Sequence, residues 1–314
     1  MTPRISPLVV LVLGCLPYGA AADRGMMPFD PNAQIYEPKQ DAIIAWNGRE
    51  EILLLSTELH ASTSTRVLEV LPLPAEPRVE AGDARAFKQL KRIIERRLKA
   101  RERTKHRPAD LGHPFNGPPP ARIAQRKRIG AHRITVVELL DAARFVAWVE
   151  RFLEGQGVKG WRLPPSFRRL VELYIKDGFR WFVFDVVSVE KEERKIQPIR
   201  YRFRTDYLFY PLRISSLARG ATSINLALLT PRRLVRFPRM AVRIDETWTP
   251  PLHRKTGARS PCVQDLEPLS LTAHEVRSIG RSFAGLLGSR RVVLDVIACE
   301  AELSALTRDL VATW

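Results

Sequence analysis

The feature that most constrains the fold is the run FRWFVFDVVSV at residues 179–189. It predicts a strand that is apolar on both faces, because its apolar residues occupy consecutive positions. The following segment, IQPIRYRFRT, alternates between apolar residues and arginines, so it predicts a strand with one face in the core. Strands in hairpins, interrupted by paired helices, predict an α+β fold with a mixed, largely antiparallel sheet, packed helices and a long basic insert.

Local signals place the other elements. Asn47-Gly48 favours a two-residue hairpin turn between two strands, and residues 65–74 predict a third strand in the same sheet. Thr272 and Glu275 have the spacing of a capping box, which marks the start of a helix. Apolar residues at three- and four-residue steps, with helix start and stop signals, predict helices at residues 84–104, 143–157, 164–178 and 273–287.

We expect three parts along the chain. They are a signal peptide at residues 1–22, an α+β domain at residues 23–240, and a C-terminal extension with helix, strand and helix at residues 241–314. Residues 84–133 of the domain are expected to form a basic helix and a mobile insert. The insert is assigned to residues 105–133 because that segment lacks periodicity and is rich in proline, glycine and charge.

An apolar run near the amino terminus, at residues 8–16, predicts a secretory signal. It is too short to cross a bilayer as a helix, which needs about 20 residues. Ala20 and Ala22 supply the small residues that a signal peptidase reads, and cleavage leaves Asp23 first. A lipoprotein signal with a lipidated Cys15 is the alternative. The expected location is periplasmic or extracellular, and no transmembrane helix is expected in the mature chain.

The net charge of +17 is concentrated in one segment. Between Arg85 and Arg133 there are 16 Lys or Arg and three acidic residues, a net +13 that leaves +4 for the rest of the chain. This segment either contacts a polyanion or an anionic envelope surface, or is solvated without a ligand. Nucleic acid is not expected as a partner, because it conflicts with export and the sequence has no helix-turn-helix, zinc finger or aromatic RNA-binding sheet.

Motifs for catalysis or cofactor binding are weak. Gly155, Gly157 and Gly160 have the spacing G-x-G-x-x-G, but they follow a predicted helix rather than a strand. They therefore predict chain reversal and not a dinucleotide site. The six histidines stand apart from one another without the spacing of metal ligands, so the sequence predicts no metal and no cofactor, and the catalytic residues, if any, are unknown.

Arginines alternate along the strand after residue 195. Arg200, Arg202 and Arg204 share one face, and Arg213 extends the row if it lies on a neighbouring strand. Such a row is a candidate site for carboxylate or phosphate groups, which arginine binds in bidentate geometry. The alternative is a solvent face whose arginines pair across the hairpin with Glu190, Glu192 or Asp185.

Two cysteines remain after the signal, Cys262 and Cys299. In an oxidising compartment they can form one disulfide, and their even number suits that. The alternative is two unpaired thiols, since Cys299 lies in an apolar run and suits a core position.

Several long runs resemble an uncharacterised family of exported bacterial and archaeal proteins, known only as a domain of unknown function. The similar runs occupy most of residues 37–231. The resemblance implies export and a shared fold, and it implies no catalytic residues. The runs are YEPKQDAIIAWNGREEILLLS, VLEVLPLPAEPRVEAGD, VVELLDAARFVAWVERFLEGQGVKGWRLPPSFRRLVELYIKDGFRWFVFDVVSV and IQPIRYRFRTDYLFYPLRISSL.

Two hypotheses about function follow. The first is a non-enzymatic exported protein of the cell envelope, a binding or structural module whose basic insert contacts an anionic envelope surface or a partner protein. The second is an extracytoplasmic hydrolase whose site forms near Ser215, Ser216 and Asp206. A deep pocket that joins these residues to a histidine would favour the second hypothesis.

Overall fold

The computed structural model describes residues 26–30, 32–37, 39–101, 125–139, 142–156, 164–191, 194–217, 220–238, 262–288 and 291–314. The predicted signal peptide lies outside these residues, and so do Cys15 and the cleavage residues Ala20, Ala22 and Asp23. Residues 102–124 of the predicted insert also lie outside them.

A five-stranded antiparallel sheet contains the run that is apolar on both faces. Its strand order is β1-β5-β9-β8-β7. Every residue of β9 except Ser188 is buried. Phe184 on one face of β9 contacts aromatic rings of a helix, whereas Val187 on the other face packs against a second sheet. The strands are β1 Met27–Pro28, β5 Thr65–Leu73, β7 Gln125–Ile129, β8 His132–Glu138 and β9 Trp181–Val189.

The second sheet has eight strands and contains one parallel pair, β12 with β3. The order is β13-β14-β12-β3-β4-β10-β6, and β2 also pairs with β4. The strands are β2 Ile35–Tyr36, β3 Lys39–Trp46, β4 Glu50–Ala61, β6 Arg78–Ala81, β10 Arg194–Arg204, β12 Ala221–Thr230, β13 Cys262–Leu271 and β14 Val292–Glu302. Two short strands, β11 Leu208–Tyr210 and β15 Leu310–Ala312, form a separate pair.

Helices cover the outer faces of the two stacked sheets. Apolar residues of α1, α4 and α5 pack on the outer face of the eight-stranded sheet, where Ile52 and Leu54 lie. Rings of α2 and α3 pack on Phe182 and Phe184 of the five-stranded sheet. The layers are therefore helix, sheet, sheet and helix. The helices are α1 Arg85–Arg101, α2 Ala142–Gly155, α3 Pro165–Lys176, α4 Ala273–Ile279 and α5 Arg281–Leu287.

The prediction of a mixed, largely antiparallel architecture is confirmed, but strands make up more of the fold than an α+β sheet with packed helices suggests. The strand predicted at residues 65–74 does not join β3 and β4. It is β5, which pairs with β9 in the other sheet. The physical reason is that the Asn47-Gly48 turn joins only the two strands beside it, whereas the partner of β5 is set by pairing with β9, which is distant in sequence.

The last part of the chain completes the eight-stranded sheet, since β14 pairs with both β13 and β12. The helix predicted at residues 273–287 is two helices separated by Gly280. The predicted capping box is present, and Glu275 also accepts hydrogen bonds from Arg96 and Arg97 of α1. Burial opposes ionisation of Glu275, but these arginines and the Thr272 N–H lower its pKa to about 2. A 3-10 turn and β15 follow β14 where a short final helix was predicted.

Candidate functional site: a basic cleft

A β-hairpin replaces the last part of the predicted mobile insert. β7 and β8 pair around Gly130, which has a φ of 57°. The prediction of a mobile loop is therefore wrong for residues 125–133. The segment QRKRI lacks the apolar alternation of a strand because one of its faces carries arginines. On the other face Ile129 packs on the core and Lys127 Nζ donates to the Val79 carbonyl at 2.6 Å.

The hairpin places several basic side chains on one face. Directly opposite residues of an antiparallel pair share a face, and Arg128 is opposite Arg133 while Arg126 is opposite Thr135. This is the face on which α2 packs, because Thr135 is in register with Phe184, which contacts α2. The exposed arginines of the hairpin thus project beside the helix.

Helix α2 forms the opposite wall. Its rings Phe145, Trp148 and Phe152 all pack on Phe184, which fixes the helix over β9. The carbonyl of Gln156, after the last turn, accepts a hydrogen bond of 2.6 Å from Arg66 Nη1. The sheet continues past the helix through β8 and β7, and the uncovered corner is a cleft of about 670 Å³. We call it the basic cleft, and it is lined by Arg126, Lys127, Arg128, Arg133, Ile134, Thr135, Trp148, Arg151, Phe152, Gly155 and Gln156.

Among the described residues, four arginines and no carboxylate line the cleft, and Lys127 contributes to the lining although its Nζ is bound to the Val79 carbonyl on the other face. Glu150 and Glu154 of α2 do not line it. Among the described residues, no carboxylate forms an ion pair with the arginines of the lining, Arg126, Arg128, Arg133 and Arg151. Like charges that face each other across a strand pair are destabilising, so this cluster has an electrostatic cost that a bound anion would offset.

A buried histidine lies beneath the hairpin. His132 Nδ1 is 2.5 Å from Asp185 Oδ2, and its Nε2 is 2.9 Å from the carbonyl oxygen of Gln197 on β10. Both ring nitrogens therefore face acceptors, which only the doubly protonated imidazolium satisfies. Burial by itself lowers the pKa of His132, but the hydrogen bond and charge of Asp185, with Glu69, outweigh it and raise this pKa above its usual value.

This histidine links the two sheets. Asp185 belongs to β9, whereas Gln197 lies in the irregular part of β10. Although a histidine held by a buried carboxylate is typical of a catalytic base, Nε2 of His132 is directed at a backbone carbonyl and not at a nucleophile. The arrangement therefore supports the hairpin and does not form a catalytic dyad.

The arginine row has carboxylate partners. Arg200 Nη2 is 2.6 Å from Glu80 Oε2, and Arg202 makes a bidentate pair with Glu50 at 2.8 and 2.6 Å. Arg204 is exposed at the end of β10. The predicted partners Asp185 and Glu190 are wrong because β9 and β10 belong to different sheets: Asp185 binds His132, and Glu190 accepts from Ser64. The third predicted partner, Glu192, lies outside the described residues.

Arg213 lies apart from this row. It begins a 3-10 turn, Arg213–Leu217, where a strand was predicted. Its guanidinium lies 4.0 Å from the centroid of the Tyr174 ring and pairs with Asp177 at 2.9 Å. Asp309 is 3.5 Å from its Nε and accepts its backbone N–H, so Arg213 binds α3 to the end of the chain.

The structure also shows where the residues of the hydrolase hypothesis and the three glycines lie. Ser215 is buried, and the Ser216 hydroxyl donates to the Arg213 carbonyl within its own turn. Asp206 is exposed before β11. Gly155 ends α2, and Gly157 and Gly160 lie outside the described residues.

The described part of the chain contains no cluster of metal ligands, and its two cysteines are bonded to each other. No three His, Cys, Asp or Glu side chains there are grouped as metal ligands. Cys262 and Cys299 are directly opposite each other on β13 and β14 and are joined by a disulfide. Within the same residues, no helix has the length and apolar character that crossing a membrane requires.

Comparison with known proteins gives a family. Residues 18–272 match the model of a family described as an uncharacterised protein conserved in bacteria (DUF2330). The chain belongs to this family. The matched residues include the β7–β8 hairpin and α2, so both walls of the basic cleft lie within the family region. No curated protein matches the sequence.

Solved structures resemble the chain only remotely. The crystal structure of baculovirus P35 matches with 10% identity over 91% of this chain and 99% of that chain, at a TM-score of 0.42. A mutated baculovirus P35 after caspase cleavage, solved at 2.7 Å, matches with 8% identity over 87% of this chain and 98% of that chain, at a TM-score of 0.39. These TM-scores are too low for an argument about fold or function.

Proposed function

We propose that this family member is an exported, non-enzymatic binding protein of the cell envelope that holds an anionic partner in the basic cleft. The observation that carries the proposal is the cluster of arginines in one cleft whose described lining contains no carboxylate. The predicted secretory signal supports a periplasmic or extracellular location, with a lipid anchor at Cys15 as the alternative.

The hairpin geometry supports this function energetically. Arg128 and Arg133 face each other, an arrangement that costs roughly 0.2–1 kcal/mol relative to a neutral pair. An anionic group between them converts repulsion into two charge-assisted contacts. Each basic residue near an anionic surface contributes about 1 kcal/mol, and salt screens the interaction.

Retention on immobilised heparin tests the binding proposal. We expect Arg128→Gln with Arg133→Gln to weaken retention about 30-fold at low salt, since two contacts of about 1 kcal/mol each are removed. The matched control is Arg168→Gln with Arg169→Gln, which removes the same charge from exposed positions on α3. Equal losses in the two double variants would show general charge attraction and reject the cleft as the site.

The intact mass of the mature protein tests the export proposal. The chain is expressed with its own leader in a bacterial host, and the cell fractions are separated. We expect a soluble extracytoplasmic protein that begins at Asp23 and lacks two hydrogens because of the disulfide. A lipid-bearing Cys15 would establish the anchored form, and an uncleaved chain in the cytoplasm would reject export.

A further inference from the structure

Two aromatic side chains distinguish the basic cleft from a purely electrostatic surface. Trp148 and Phe152 are half-buried, lie one helical turn apart, and have ring centroids 5.3 Å apart at an interplanar angle of 12°. Phe184 supports both from beneath at 5.6 and 5.9 Å. The accessible parts of these two rings give one wall of the cleft an apolar surface, so a ligand that presents an apolar face as well as negative charge complements the cleft better than an inorganic anion does.

The end of α2 leaves room beside these rings. A Cβ added to Gly155 would meet no atom within 4 Å. Thr135 and Gln156 add uncharged polar groups to the lining. The cleft therefore combines charge, aromatic surface and neutral hydrogen-bonding groups within about 670 Å³, a volume within the range of small-ligand pockets.

The surroundings of the cleft do not favour insertion into a bilayer. Among the described residues, the large hydrophobic side chains that are exposed are Leu98, Leu173 and Val235, and none of them lines the cleft. Membrane-surface proteins anchor through exposed apolar side chains next to their basic residues. A cleft without them suits a ligand that reaches it from solution.

We propose that the basic cleft binds a segment of an acidic polysaccharide. Carboxylate or sulfate groups of the glycan pair with Arg126, Arg128 and Arg133, and the C–H face of a sugar ring packs on Trp148 and Phe152. Hydroxyl groups of the sugar meet Thr135 and Gln156. This inference rests on the proposed function, because it specifies the chemical class of the anionic partner.

The experiment compares two probes of equal charge, an oligogalacturonate and a linear polyphosphate, by calorimetry on the full mature chain. We expect the oligogalacturonate to bind at least about fivefold more tightly, because only it supplies a ring for the aromatic wall. Trp148→Leu keeps an apolar side chain in place. It should remove this preference and leave polyphosphate affinity unchanged within about twofold.

A second variant does not depend on the aromatic core. Gly155→Leu fills the open space beside the rings without changing the charge, and leucine is a better helix former than glycine. It should likewise reduce oligogalacturonate affinity about fivefold or more and leave polyphosphate affinity unchanged within about twofold. Loss of the preference in both variants, with unfolding temperatures near that of the unsubstituted protein, would support the glycan assignment.

The outcomes separate this inference from the proposed function. If Arg128→Gln with Arg133→Gln abolishes binding of both probes but Trp148→Leu and Gly155→Leu affect both equally or neither, the site is anionic but does not bind a sugar ring. If a single-stranded oligonucleotide or vesicles of anionic phospholipid bind more tightly than the oligogalacturonate, the glycan is likewise rejected. If no probe depends on the two arginines, the proposed function is rejected as well.

Discussion

The basic cleft and the arginine row lie on opposite outer faces of the two stacked sheets and have similar spacing along a strand. In both, arginines alternate along a strand with residues that point inward. The strands beside them differ, however. β10 lies between β4 and β6, which present Glu50 and Glu80, whereas β7 has β8 as its one partner among the described strands, and β8 presents Arg133. The same sequence pattern therefore gives a neutralised surface in one place and a cationic cleft in the other.

The largest expected effect is on stability. It comes from replacing His132, which links the two sheets that carry the basic cleft and the arginine row. His132→Gln leaves Asp185 buried without its cation and should lower the free energy of unfolding by about 3–5 kcal/mol. Urea denaturation measures the loss, and His274→Gln, at an exposed site, should change stability by less than about 0.5 kcal/mol. A loss below about 1 kcal/mol for His132→Gln would contradict a charged interaction.

The second prediction concerns the arginine row, which should become cationic when its carboxylate partners are removed. Glu50→Gln with Glu80→Gln removes the partners of Arg202 and Arg200, and retention on heparin should rise by up to about 30-fold because two arginines become available at about 1 kcal/mol each. Glu172→Gln with Glu300→Gln gives the same change in net charge at exposed sites elsewhere. If this control raises retention as much, net charge and not local pairing sets the difference between the two regions.

The third prediction compares the stability of arginine variants in the two regions, and the expected difference is smaller than the two effects above. Arg200→Gln with Arg202→Gln should lower the free energy of unfolding by about 1 kcal/mol, a value that allows for the partial exposure of both pairs. Arg128→Gln with Arg133→Gln should leave stability unchanged or raise it by up to about 0.5 kcal/mol, because repulsion is relieved. Thermal unfolding of the two double variants side by side checks the sign. A destabilised cleft variant would show that its arginines are compensated.

A smaller effect than that of His132→Gln is the pH dependence that His132 gives to the hairpin, because a neutral imidazole can still donate its Nδ1–H to Asp185 and only the charge-dependent part of the interaction is lost. Because the pKa of His132 is raised in the folded protein, its stabilising contribution is complete below the unfolded value of about 6.5 and is lost as pH rises through the folded pKa. The groups that face it are Asp185, Glu69 and the Gln197 carbonyl. Asp295, with a pKa that burial raises to about 6, changes stability mainly at lower pH.

The measurement is unfolding free energy against pH above pH 6 for the native chain and His132→Gln. The difference between the two should shrink as pH rises. A constant difference over that range would contradict protonation of His132 as its origin.

Local signals in the sequence were sufficient to predict many helices and strands, but they were not sufficient to predict the basic cleft or the partners of the arginine row. The predicted turn between β3 and β4 is present, with Gly48 and Arg49 at its centre and Asn47 just before them, and the Thr272 capping box starts α4, because the interactions that decide them are a few residues long. The partners of Arg200 and Arg202 were not predictable, because they depend on which strands lie beside β10. Glu80 and Glu50 are 120 and 152 residues distant in sequence.

The β7–β8 hairpin of the basic cleft shows a second limit on what can be predicted from the sequence. The outward face of β7 is arginine and its inward face combines Lys127 with a single apolar residue, Ile129, so β7 lacks the apolar alternation that identifies strands. A charged edge strand of this kind is indistinguishable in sequence from a solvated loop. The sequence showed the high local charge and the helix α2. It did not show that α2 packs beside the hairpin and forms the other wall of the cleft.

The disulfide has a mechanical consequence. Cys262 is the first residue of β13, which is the outermost strand of the eight-stranded sheet. A strand pulled from its end detaches one hydrogen bond at a time, which needs far less force than shearing the whole ladder at once. The covalent bond lies at that first position, and at the other end the helix that follows β13 is held to α1 through Glu275. Under tension or proteolytic attack, this edge is therefore closed to unzipping from the end that carries the disulfide.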